Sequence, residues 1–134
     1  MAVVWIGGLY GYIDTHGKLI IPPKYEMAGD FSEGFAPVMT KDQKWGGINK
    51  KGEWVIRAIY DDLTWYSDGL AIAELEGRRQ FIDKAGNPVK ITTLPIQWYG
   101  FSGGMTIVGE RGKRVYVNRE GRIVAPYESK TVPN

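Results

Sequence analysis

The sequence predicts an all-β fold built from four tandem units of about 35 residues, each a three-stranded antiparallel meander. The units either close into a ring or barrel or stay as an open repeat stack. Three observations lead there. The turn Asx-x-x-Gly occurs four times, as Asp14-Thr15-His16-Gly17, Asn49-Lys50-Lys51-Gly52, Asp83-Lys84-Ala85-Gly86 and Asn118-Arg119-Glu120-Gly121, with its glycines 35, 34 and 35 residues apart. An aromatic-Ser-x-Gly element keeps the same beat at Phe31-Ser32-Glu33-Gly34, Tyr66-Ser67-Asp68-Gly69 and Phe101-Ser102-Gly103-Gly104, again 35 apart. No window places apolar residues at 3.6-residue spacing for more than one turn, so no helix is expected.

Each unit reads as three strands in order. The middle strand, Tyr10-Gly11-Tyr12-Ile13 in the first unit and Trp45-Gly46-Gly47-Ile48 in the second, runs into the Asx turn. There an Asp or Asn side chain bonds the backbone two residues on, and the glycine takes the left-handed conformation that closes the hairpin. The next strand is rich in β-branched residues, as in Leu19-Ile20-Ile21 and Trp54-Val55-Ile56. In the first and fourth units Pro22-Pro23 and Pro126 then end pairing, because proline lacks the ladder donor. An irregular stretch follows, and the aromatic-Ser-x-Gly element starts the third strand (Phe35-Ala36-Pro37-Val38 and its copies).

The first such strand falls at residues 1–6, which completes four units at approximately 1–34, 35–69, 70–104 and 105–134, a single domain. Half-formed first and last units favour closure, which would remove exposed edges. Stacked units should merge Phe31, Tyr66 and Phe101 with Ile13, Ile48, Ile82 and Val117 into one core.

These motifs carry a resemblance. Leu9-Tyr10-Gly11-Tyr12-Ile13-Asp14, Ile20-Ile21-Pro22-Pro23-Lys24-Tyr25 and the segment from Phe31 to Val38 resemble bacterial WG repeats, also called KWG β-repeats, and Lys44-Trp45-Gly46 is the motif that names them. The likeness extends along the whole chain and weakens in the last two units. There Arg79 and Arg114 replace Tyr10 and Trp45, and Gln80 and Val115 replace the glycines. The resemblance implies antiparallel β-structure, a role in protein interaction and no catalytic residue set. In size and layout the chain is similar to cytoplasmic immunity proteins that neutralise a toxin, an analogy of form.

Composition narrows the function classes. The net charge of +2 leaves no electrostatic footprint for nucleic acid. No stretch reaches the roughly 20 apolar residues of a membrane helix, and the N-terminus lacks a secretory pattern, so the chain reads as cytoplasmic. With no cysteine and a single histidine, His16, a zinc site or a Ser-His-Asp site has no material, and no cofactor is expected. Asp14 and Asp83 alternate with Asn49 and Asn118 at one turn position, so hydrogen bonding explains all four where acid–base chemistry explains two. A carboxylate-based hydrolase would require Asp61 and Asp62 to converge in a pocket.

The residues that break the repeat point to a partner. Trp65 stands where the other units have Asp30 and Gly100, and Trp98 where they have Ala28 and Leu63. Both lie in the irregular stretches, expected together on one edge of the stack. With Tyr66 and Tyr99 they form aromatic clusters. Asp61, Asp62 and Asp68 rim the first of them, within a run from Asp61 to Glu76 that holds five carboxylates and no lysine or arginine. From Arg111 to Lys130 the balance reverses, with six basic residues against Glu120 and Glu128. Aromatic anchors ringed by charge are how protein interfaces concentrate their energy. The expected partner is therefore another protein, such as a toxin or basic enzyme, bound through Asp61, Asp62, Trp65, Tyr66, Asp68, Trp98 and Tyr99. The alternative is a glycan or cell-wall ligand stacked on the same rings.

Overall fold

The computed structural model describes residues 1–127 and is all-β, with four antiparallel sheets and no helix among them. The first sheet holds β1 (Ala2–Ile6), β2 (Leu9–Ile13) and β3 (Leu19–Tyr25). The second holds β4 (Met27–Ala28), β5 (Phe35–Met39), β6 (Trp45–Asn49) and β7 (Trp54–Tyr60). The third holds β8 (Asp62–Leu63), β9 (Ala71–Leu75), β10 (Arg78–Ile82) and β11 (Pro88–Val89). The fourth holds β12 (Met105–Val108), β13 (Val115–Asn118) and β14 (Ile123–Pro126). Within every sheet the strands follow chain order, so each is a meander.

Three expectations change. Barrel closure is absent: among the described residues no strand of one sheet pairs with a strand of another. The stretches expected to be irregular partly pair instead, as the two-residue strands β4 and β8 along β5 and β9 and as a lone bridge from Ile96 to Val108. Pro22 and Pro23 do not end pairing either. They lie inside β3, bulged away from β2 between the pairs Tyr12–Ile21 and Tyr10–Tyr25, and Pro126 likewise pairs, with Val115, inside β14. The end of the predicted fourth unit, with Glu128 and Lys130 of the basic stretch, lies outside the described residues.

The turns form as the residues dictate. Asp14, Asn49, Asp83 and Asn118 each accept through Oδ1 from the backbone N–H groups two and four residues on, at 2.8–3.0 Å. Gly17, Gly52, Gly86 and Gly121 close them at φ of 80–84°. The aromatic-Ser-x-Gly elements are two-residue hairpins, with Ser32 bridging Phe35, Ser67 bridging Leu70 and Ser102 bridging Met105. Both central residues have positive φ, the primed-turn geometry that matches strand twist.

Those hairpins also tie sheet to sheet. Ser32 Oγ donates to Tyr66 O at 2.8 Å, and Ser67 Oγ donates to Phe101 O. Glu33 accepts from Gly69 N and Asp68 from Gly104 N, each at 2.8 Å. Glu33 and Asp68 hold φ near 50°, a region most L-residues avoid, and their carboxylates cap the following hairpin. Gly103 stands at the last equivalent position, where no later hairpin follows among the described residues.

The core lies between successive sheets rather than in one body. Tyr12, Ile21 and Tyr25 pack on Ala36, Val38 and Ile48; Ile56 and Tyr60 pack on Leu63, Tyr66, Ala71 and Ala73; Leu70, Ile72 and Phe81 pack on Phe101. Ile13, in the first described sheet, is half-buried, whereas its counterparts Ile48, Ile82 and Val117 are sealed.

The glycine of the WG pair has a structural reason. Opposite Gly46 the strand β7 bulges, since Trp45 pairs with Tyr60 while Gly47 pairs with Ile56. A Cβ on Gly46 would lie 2.7 Å from Ile56 O and 2.8 Å from Ala58 Cα, and Gly11 is equally crowded by Ile21 O. Gly46→Ala is expected to destabilise by about 1–3 kcal/mol through this backbone clash. Gly100→Ala, whose Cβ would meet only Ser67 Cβ at 3.6 Å, should stay within about 0.5 kcal/mol. Denaturant melts of the two variants check both.

Candidate partner-binding surface

The seven residues expected to meet a partner divide into those the fold uses and those it leaves free. Tyr66 is core: it is 2% exposed, its hydroxyl donates to Asp83 O at 2.6 Å, and its ring packs on Phe35 at 5.2 Å. Burial first, and then the Asp83 carboxylate, push its phenol well above the usual tyrosine range. Asp68 is the hairpin cap described above, and its carbonyl also accepts from Arg119 Nη1. Tyr66 is therefore buried away from the surface, whereas Asp68 stays exposed with one carboxylate oxygen capping its neighbour.

Asp61 is occupied without being buried. Lys44 Nζ lies 2.7 Å from Oδ1, and Glu76 N donates to Oδ2 at 2.8 Å. The hydrogen bond from Lys44, helped by that amide, holds the Asp61 carboxyl below the usual carboxylate range. Asp62 turns elsewhere, its Oδ1 accepting from Leu63 N at 2.9 Å, so the two adjacent carboxylates are held by different partners. Glu74 lies 3.7 Å from Arg79 Nε, so the acidic run is partly neutralised within the molecule. Sequence reading missed these pairings because Lys44, just before β6, and Arg79, on β10, are brought to the acids by strand pairing rather than by nearness along the chain.

The aromatic anchors remain outside. Trp65 is 62% exposed at the end of the β8 segment. Trp98 and Tyr99 are each 39% exposed and each faces an arginine: Arg79 lies 4.6 Å from the Trp98 ring centroid, and Arg114 lies 5.7 Å from that of Tyr99 and donates to its hydroxyl at 3.2 Å. Trp98 occupies the position of the buried Leu63 one unit earlier and is less exposed than Trp65. Trp5, 65% exposed on β1, is a further exposed ring, and no departure from the repeat flagged it. Among the described residues no three His, Asp or Glu side chains gather as a metal ion requires.

The WG-containing repeat family is matched twice in succession, at residues 10–45 and 45–78, together 69 of the 134 residues. The chain belongs to the WG-containing repeat family. The matched span is where Gly11 and Gly46 admit a bulged strand; it stops at Arg78, just before Gln80 replaces the glycine. No curated protein matches this WG-repeat chain. Among solved structures it is similar to the crystal structure of the computationally designed Ika8 protein, at a TM-score of 0.54 and 12% identity, over 89% of this chain. That likeness is one of fold, and the WG-repeat chain spans 42% of the designed protein's length.

Two outcomes follow from the geometry. Lys44→Ala should raise the Asp61 titration midpoint, read by carboxyl-resolved NMR. A lowered carboxyl pKa adds stability that is full above the usual carboxylate range and is lost as pH falls through the folded value, so that acid-side loss should shrink in the variant. Tyr66→Phe should cost about 1 kcal/mol in a denaturant melt, the worth of its bond to Asp83 O.

Proposed function

We propose that this chain is a non-catalytic protein-binding module, a stack of four repeats of one unit that presents Trp65 as its anchor. The observation that carries this is the exposure of Trp65, 62%, at a position where the other repeats carry Asp30 and Gly100 and where the fold asks nothing of the ring. A large apolar ring left in water at one repeat-breaking site is what an interface hot spot looks like in the free protein. Membership of the WG-containing repeat family supports a β-repeat module.

The partner that fits best is a protein with a basic surface, because Asp62, three residues before the anchor, is exposed and has no cation partner among the described residues. A basic active-site cleft, such as that of a toxin nuclease, has this character, and the module then acts as a cytoplasmic immunity protein that blocks it. Affinity capture from the host's lysate and secreted fraction, with wild type and Trp65→Ala in parallel, tests the reading. A stoichiometric protein retained by wild type and bound about thirtyfold more weakly by the variant, at an unchanged thermal midpoint, is the expected result. Identical capture by both removes Trp65 as the anchor. A variant with a lowered midpoint assigns the ring to the fold.

A further inference from the structure

Three of the four sheets finish the same backbone pairing with their own chain, and the third does not. Tyr10 pairs with Tyr25, Trp45 pairs with Tyr60, and Tyr127 N donates to Arg114 O at 3.0 Å. Arg79 is the matching residue of the third sheet. There β11 reaches only Phe81 and Ile82, and the chain leaves the sheet after Val89. Asp83 N donates to Asn87 O on the β11 side, so by strand alternation the N–H and C=O of Arg79 point to that side as well. Among the described residues they have no ladder partner there.

The gap has a cause and a shape. Gln80 replaces the glycine that lets a bulged strand approach, and the departing segment 90–97 is held back by other bonds. Arg79 Nη1 donates to Ile96 O at 3.1 Å, Ile96 bridges Val108, and Gly109 N donates to Pro95 O at 2.8 Å. What remains is a cleft of about 310 Å³ with Phe81 and Ile91 among its apolar walls. It adjoins a second cleft along Arg78 and residues 92–97. Arg78, Arg79 and Lys90 are the charged residues lining the two, and no carboxylate lines either. A strand with one register shift fewer can lie beside a residue larger than glycine: in the fourth sheet the only shift falls between Tyr116 and Val117, and Val115 stands where Gln80 does and pairs with Pro126.

We propose that the open edge of β10 at Arg78–Gln80 takes an extended acidic peptide from a partner protein as an added strand, supplying to Arg79 the pairing that Tyr127 supplies to Arg114. Main-chain bonds give such a site its affinity, and the basic rim selects acidic side chains. This surface is separate from that of Trp65, so the two readings stand or fall separately.

The probe is a fluorescein-labelled hexapeptide, Glu-Val-Asp-Tyr-Glu-Val, titrated by anisotropy against the whole chain. Two further peptides accompany it, one with lysine at each acidic position and one N-methylated at the tyrosine. Saturable binding of the first is expected, weakened about tenfold by the methyl group and about tenfold by Arg78→Glu with Lys90→Glu at an unchanged thermal midpoint. Hydrogen exchange should show the Arg79 amide open in the free protein, where that of Trp45 is protected, and slowed by the peptide. The proposal is overturned by any of four results: no saturation by about 1 mM, equal binding of the lysine peptide, equal binding of the N-methyl peptide, or an Arg79 amide already as protected as that of Trp45.

Discussion

A short three-stranded sheet exposes more apolar surface than it can hide, so each sheet here must be roofed by the next. The contact that does this is an aromatic from one repeat set edge-on against its neighbour: Phe31 on Tyr12 at 4.8 Å and Phe101 on Phe81 at 5.2 Å, with the same job done at the middle seam by Tyr66 on Phe35. The rest of the architecture is arranged around that seam. The Asx turns fix strand length, and the hairpins deliver the aromatic. The serine and carboxylate bonds between hairpins set the spacing at which the rings meet.

That arrangement determines which residues are available for binding. A side chain that recurs every 35 residues is committed to a seam, and Tyr66 and Asp68 are examples. The residues free to meet another molecule are those whose positions vary among repeats. Trp65 is such a residue on the edge of the third sheet, and the gap beside Arg79 is its backbone counterpart, a place where one repeat omits what the others build.

Much of the fold was legible because turn chemistry is local. An Asp or Asn followed three residues later by Gly specifies its own hydrogen bonds, and all four formed with one geometry. The pairing of β4 and β8 was not legible, since a two-residue strand owes its existence to the neighbour it lies along. The exposure of Trp65 and Trp98 was legible in the sequence, whereas the intramolecular partners of Asp61 and Asp68 were not. Asp61 reads as a free acid from its own neighbours in sequence, yet Lys44, 17 residues away, is brought to it by the fold. The absence of a closed barrel lay beyond the sequence, because edge pairing between sheets depends on how successive sheets are set against one another.

The bonds between hairpins have a direction. Glu33 serves Gly69 and Asp68 serves Gly104, always from an earlier repeat to a later one. A ribosome releases the acceptors before the groups they bind, so each finished sheet is a template waiting for the next as it emerges. A lesion at Glu33 or Asp68 removes an acceptor from its successor, whereas Gly103 at the matching last position supplies none. The molecule thus has an assembly polarity, written in two carboxylates held at an unfavourable backbone angle.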